Sequence, residues 1–372
     1  MNTVKVLTCL FFLANTQEWG FFGHRKINEL AVYTLPVEMK VFFSPNQAYF
    51  SRHAIDADKR RYASSFEAPR HYIDLDQYGK VPFDTLSRDF RTDLRNHCLF
   101  FLSTREGGAI EALPDSICKS LEFKNWFDTL AMDFYYEEQW LVPLDLSFRL
   151  DTSKYRIQVL DEFTEHGILP YNILRVYRKL VQAFKDLDAT GICRYGSDLG
   201  HYIGDATVPL HTSSNYNGQK TDQYGIHAFW ESRLPEQFAK NYDEWVGAAV
   251  YIDDIQSHIW NILVESHLLV DELLTTEQQV RLQLDDELEY GVEERNGRLV
   301  STQSDTLTIL YHEALDGMIE ERYRSAIHCL GSFWYSAWVD AGMPNLENVE
   351  PAFEVDSADK KGRIITRRRH FE

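Results

Sequence analysis

Little in this 372-residue chain fits the commoner catalytic or membrane architectures. Beyond the N-terminus no segment holds 18 uninterrupted apolar residues, so no later membrane-spanning helix is expected and the mature protein should be soluble. No Gly-x-Ser-x-Gly sequence is present, which removes the usual serine-hydrolase elbow. Of the five cysteines none stands in a CxxC pair, so a cysteine zinc site is excluded. Cys9 falls in the N-terminal apolar run. Cys98, Cys118, Cys193 and Cys329 remain, compatible either with two disulfides or with free buried thiols. Positive charge is also scarce: the formal net charge of -19 argues against nonspecific binding to duplex DNA or an anionic membrane. It argues less against a polyanionic substrate, because bound dications reverse the local field.

The composition that is present, 44% apolar and 14% aromatic with mixed charges, is that of a globular protein. Lys5 followed by the apolar run Val6–Ala14 reads as a short secretory signal, too short to span a bilayer, or else as a buried first helix. The first reading predicts export, to the periplasm or outside the cell. Helical periodicity dominates the rest. Apolar positions from Ile27 to Leu35 end at Pro36, and His24 falls on their buried face. Ile173–Leu187, Ile255–Leu269 and Thr306–Trp338 predict further helices. Ser213–Tyr224 reads as a surface loop, and Leu284–Arg298 as an acidic solvated stretch. With no internal repeat and no clear linker, the simplest architecture is one all-α domain over 19–355, after a signal at 1–18 and before a polar tail at 356–372.

One stretch is rich in metal-ligand types. His201 and Asp205 are four apart, so on a helix they share a face, and the two oxygens of Asp205 suit it to bridge two ions. Pro209 ends that helix and His211 follows. His227 and Glu231 form a second i, i+4 pair. A lone His-x3-Asp pair is more often a helix-face hydrogen bond. Two such pairs with a histidine between them, inside 31 residues, are hard to explain as packing. Two segments accompany them: Trp19–His24, and Asp56-Ala57-Asp58 followed by Arg70-His71-Tyr72-Ile73-Asp74. Taken alone, the first is a hydrophobic helix entry and the second a charged turn.

Together these segments resemble the superfamily that joins bacterial zinc-dependent phospholipase C with the single-strand-specific nucleases S-one and P-one. The motif order runs from residue 19 to 231, a little over half the chain. The resemblance implies a single helical domain of that type and three zinc ions. The first would be held by Asp58, His71, His201 and Asp205, the second by His211, His227 and Glu231. The third would take His24, Asp205 and the α-amine and carbonyl of Trp19, so cleavage before Trp19 would be part of the chemistry. Asp58 and Asp205 would be the catalytic carboxylates. Asp56 and Asp74 are rival carboxylates, and His53 and His97 rival imidazoles.

Implied is a phosphodiesterase in which the metals activate water. The short loop before His227 and the closing Glu231 resemble the phospholipase branch. The expectation is therefore a phospholipase C type acting on phospholipid phosphodiesters, with a single-strand-specific endonuclease/3'-nucleotidase as the alternative. Trp-x4-His and His-Tyr-Ile-Asp lean toward single-stranded nucleic acid. Phe21, Phe22, Tyr72, Tyr216, Tyr224, Phe229 and Trp230 could serve either, by cation–π contact or base stacking. A zinc-binding protein without turnover is the alternative from another class, and a cytosolic helical hydrolase follows if the N-terminal run is retained.

Overall fold

A computed structural model describes residues 20–104, 111–134, 155–285, 288–295 and 298–350. The signal at 1–18, Trp19 and the tail at 356–372 lie outside them. The helices that position the site are α1 (Gly20–Ala31), α2 (Asp56–Arg61), α3 (Leu169–Lys185), α4 (Ala189–Thr207), α5 (Ile255–Leu268), α6 (Val270–Arg281), α7 (Asp305–Ala314) and α8 (Met318–Asp340). Each expected helix is present. The last is split, because Gly317 adopts φ +85° and starts α8 on a new axis.

Helix α4 is the centre of the molecule. Only Thr190, Arg194 and Tyr195 along it escape burial, and α1, α3, α5 and α8 pack around it. Asp188 opens it by accepting a hydrogen bond from Gly191 N at 3.0 Å. A helix buried on all sides cannot be amphipathic, and α4 relies on small residues where neighbours come close. A Cβ on Gly196 would stand 2.8 Å from Phe50, one on Gly204 would stand 2.8 Å from His24 Nδ1, and one on Gly200 would collide with the Asn28 amide. The glycines are therefore what lets α1, and with it His24, approach the face of α4 that carries His201 and Asp205.

The mostly helical expectation holds, but strands are also present. In a three-stranded sheet of order β2-β1-β3, β1 (Cys98–Thr104) pairs antiparallel with β2 (Glu111–Ala112) and with β3 (Tyr155–Asp161). The β1/β3 register runs from Cys98 opposite Asp161 to Thr104 opposite Tyr155. Phe100 of β1 meets Phe123 and Phe127 edge-on at 4.9 and 5.4 Å. The stretch read as merely acidic supplies the first strand of a hairpin, β4 (Tyr290–Arg295), which pairs with β5 (Arg298–Gln303), and Val292 and Leu299 stay exposed. Cys98, Cys118, Cys193 and Cys329 are all free thiols, so the disulfide alternative is not realised. Among the described residues no helix is long and apolar enough to cross a membrane.

Candidate metal centre

Six positions on separate elements converge on the His201/Asp205 face of α4. The i, i+4 spacing on α4 turns His201 and Asp205 to one side, and both are fully buried. Helix α1 delivers His24, whose ring stacks on His201 with centroids 3.9 Å apart. Helix α2 delivers Asp58, and the turn Ala68–His71 delivers His71. Val208 turns extended before Pro209, so the chain leaves α4 and returns His211 on a short 3-10 turn. His227 follows Gly225, which takes φ +89°. Glu231 lies on a single π turn, Phe229–Arg233, a local widening found often at functional sites.

Asp205 is the hub. Its Oδ2 lies 3.0 Å from His71 Nδ1 and 3.3 Å from His201 Nε2. Its Oδ1 lies 3.4 Å from His24 Nε2 and 3.8 Å from His211 Nε2. Asp58 Oδ1 approaches His201 Nε2 at 3.5 Å and His71 Nδ1 at 3.9 Å. Glu231 spans the other pair, with His211 Nε2 at 3.4 Å and His227 Nε2 at 3.3 Å. Among the described residues three buried groups able to hold a metal ion result: His24/Asp58/His201, His71/His201/Asp205 and His211/His227/Glu231. The last matches the expected second set. The other two share His201 and draw on the residues expected for the first and third, with Trp19 outside the described residues.

The hydrogen bonds around the imidazoles decide which nitrogens face inward. His201 Nδ1–H donates to Ala54 O at 2.8 Å, His211 Nδ1–H to His71 O at 2.6 Å, and His227 Nδ1–H to Tyr216 O at 3.1 Å. A carbonyl only accepts, so each Nδ1 carries the proton and each Nε2 of the neutral ring presents a lone pair to the cluster. The inward atoms are left short of partners. His24 Nε2, both oxygens of Asp58, Asp205 Oδ1, His227 Nε2 and Glu231 Oε1 are buried without a hydrogen bond, and so is His71 Nε2 on the far side of its ring. Buried polar atoms are normally satisfied, and such a concentration of orphans calls for a ligand.

The electrostatics agree. Burial holds His201 well below the usual imidazole range, so it is neutral as a metal ligand must be. Burial opposes ionisation of Asp205, but His201 and His211 outweigh it and hold the carboxyl well below the ordinary range. For Glu231 burial is again outweighed, by His227 and His211, and its carboxyl falls to about 2. Asp58 behaves oppositely. Burial, reinforced by Asp205 and Glu231, pushes it up to about 6 against the pull of His71 and His24. Raised in the folded state, this group costs stability as pH rises from 3.8 through about 6, and the cost is full above that. Asp58→Asn should therefore stabilise the metal-free protein at pH 7 by on the order of 2 kcal/mol while weakening metal binding. Thermal melts with and without chelator check this, and a metal-free variant less stable than its parent would contradict it.

The rival residues fall outside the three groups. Asp56 pairs with His53 at 2.6 Å and Lys59 at 2.7 Å on the half-exposed side of α2. Asp74 meets His166 Nδ1 at 3.2 Å, and His97 stacks on Phe163. A cleft of about 340 Å³ opens onto the cluster, with His71, His211 and His227 at its base and Arg61, Tyr72, Asp74 and Tyr216 among its walls. Two larger surface grooves, of about 480 and 500 Å³, contain none of the cluster residues. Of the aromatic candidates, Tyr72 and Tyr216 line the cleft. Phe229 and Trp230 are buried in the core and unavailable to a substrate. Sequence reasoning missed Glu67, Asp198 and Tyr202, a buried polar network behind His71 and His201 that the half-buried Arg60 joins. They carry no recognisable spacing, and Glu67 stands out only as the carboxylate one helical turn before His71.

No protein-family model matches the chain, and no curated protein matches it significantly.

Proposed function

We propose that this protein is an exported phosphodiester hydrolase working through three zinc ions, of the phospholipase C and single-strand nuclease type. The observation that carries the reading is the set of inward-facing, unpartnered imidazole and carboxylate atoms gathered on Asp205 and Glu231 at the base of an open cleft. Nitrogen and carboxylate donors without thiolate suit zinc, and the orphaned atoms are what such ions would satisfy. His71, His201, Asp58 and Asp205 would hold one ion, His211, His227 and Glu231 a second, and His24, Asp205 and Trp19 a third. When bound, such ions supply Lewis acidity to the phosphoryl oxygens and lower the pKa of a water molecule. The chain's own part is to hold His201 neutral and Asp205 and Glu231 anionic, to keep Asp205 central among the imidazoles, and to present the substrate. A non-catalytic zinc protein needs only one closed set of four ligands, and here the ligands open onto a cleft.

Within this class the cleft walls favour single-stranded nucleic acid over a phospholipid headgroup. The large exposed ring on the cleft wall belongs to Tyr216, and the aliphatic Leu210 is buried at the floor. Tyrosines beside an arginine and a carboxylate suit base stacking, sugar–phosphate contact and hydrogen bonding to a base edge. Entry into a lipid surface calls instead for an exposed apolar rim. The deciding experiment assays zinc-loaded protein on single-stranded DNA, RNA and phosphatidylcholine vesicles in parallel. Cleavage of the oligonucleotides, lost with chelator and restored by zinc, is expected. Cleavage of phosphatidylcholine alone would move the substrate to the phospholipid class, and no turnover by metal-replete protein on any of the three would overturn the hydrolase reading.

A further inference from the structure

The imidazoles of the centre do not all face the same way. His201, His211 and His227 turn Nε2 inward and anchor Nδ1 on a backbone carbonyl. His71 is reversed: its Nδ1 points to Asp205 Oδ2 and His201 Nε2, both at 3.0 Å. Its Nε2 points away from the cluster, is buried, and has no hydrogen-bond partner. With Nδ1 bare for an ion, Nε2 must carry the proton, and that N–H needs an acceptor. The carboxylate facing it is Glu67, with Oε1 at 3.8 Å.

Glu67 is itself rigidly placed. It is 2% exposed. Its Oε2 accepts from Arg70 Nη1 at 2.7 Å, while Oε1 accepts from Arg60 Nη2 at 3.3 Å and from the Tyr202 hydroxyl. Arg60 is braced in turn by Asp198 at 3.0 Å and by Tyr202 at 3.1 Å. A buried carboxylate is costly unless paired, and here two cations keep one charged at a point one ring away from the cluster.

We infer that Glu67 is a positioning residue, the anionic acceptor of the His71 Nε2–H, which holds that ring with Nδ1 toward the cluster and raises its strength as a ligand. The inference rests on the metal reading above and adds a residue that touches no ion and no substrate. It explains why His71, unlike His201, His211 and His227, makes no Nδ1 bond to a carbonyl. It also gives the Arg60–Asp198–Tyr202 network a purpose beyond packing, as the frame that aims Glu67.

Zinc affinity of the full chain, measured by chelator competition, tests it, together with the visible spectrum of the cobalt-substituted protein. Glu67→Gln keeps the shape but removes the charge. It should weaken one of the three zincs about 10- to 100-fold and leave the other two unchanged. The cobalt bands of that one equivalent should shift. Arg70→Gln removes a partner from the far oxygen only, and should lower the melting temperature while keeping all three affinities within about threefold. If Glu67→Gln does not fold, Glu67→Asp keeps the charge but withdraws it, and should show the same selective loss to a smaller degree. A folded Glu67 variant with all three affinities unchanged, or with the loss shared equally among the sites, overturns the inference. Parent protein that binds no zinc overturns the metal reading itself, and the inference with it.

Discussion

Replacing Asp205 by alanine should abolish hydrolysis, by more than about 10³-fold, and cut the tightly held zinc from three ions to at most one. The asymmetry follows from the hub geometry. Oδ2 lies beside His71 and His201 while Oδ1 lies beside His24, so one substitution removes the carboxylate common to the first and third of the proposed zinc sets. The group His211/His227/Glu231 keeps its own carboxylate and should retain its ion. Removing a buried charge is usually disruptive, but the environment softens the effect here. His201 is neutral in the folded protein, and His211, whose pKa is raised against the pull of burial by Asp205 and Glu231, still has Glu231 as partner. The variant should therefore fold. Metal analysis of dialysed protein and an assay on the parent's substrate read both effects. A variant holding three zincs, or keeping a tenth of the parent's rate, would defeat the hub assignment.

What could be read without a structure was what lies close along the chain. His201, Asp205 and His211 are legible because helix geometry and Pro209 fix their relation locally, and His227 and Glu231 for the same reason. His24, Asp58 and His71 are brought in by packing over 130 residues or more, and a single sequence yields them only through resemblance. Glu67 and Arg60 were invisible. A buried ionic network obeys three-dimensional proximity, not spacing, and their charges looked like those of any solvated turn. The strands escaped for a different reason. Cys98–Leu102 is a continuous apolar run with no alternation, and the acidic residues around β4 masked its pairing with β5. Among the aromatics, burial was the missing fact: Trp230 resembles a stacking platform in sequence and is a core residue in the fold.

Stripping the metal should lower the melting temperature by roughly 15 °C at neutral pH, about 5 °C per site. A ligand at about a thousand times its Kd contributes about 4 kcal/mol. For a chain of this length the unfolding entropy of about 2 cal/mol/K per residue turns that into roughly 5 °C. The pH dependence carries the sharper test, because the metal-free and metal-loaded proteins respond with different signs. Ligands must be deprotonated to bind, so the contribution of zinc fades as pH falls. In the metal-free protein Asp58, raised to about 6, relieves its burden as pH drops from 6 toward 3.8. Glu231, depressed to about 2, stabilises the fold above pH 4.5, and that contribution is lost as pH falls from 4.5 toward 2. The gap between the two melting curves should then be widest near pH 7 and close by about pH 5, before acid destabilises both forms. Paired melts with and without chelator from pH 4.5 to 8 measure it. A gap that stays constant across that range would mean that the buried carboxylates and imidazoles of the cluster are not what the metal engages.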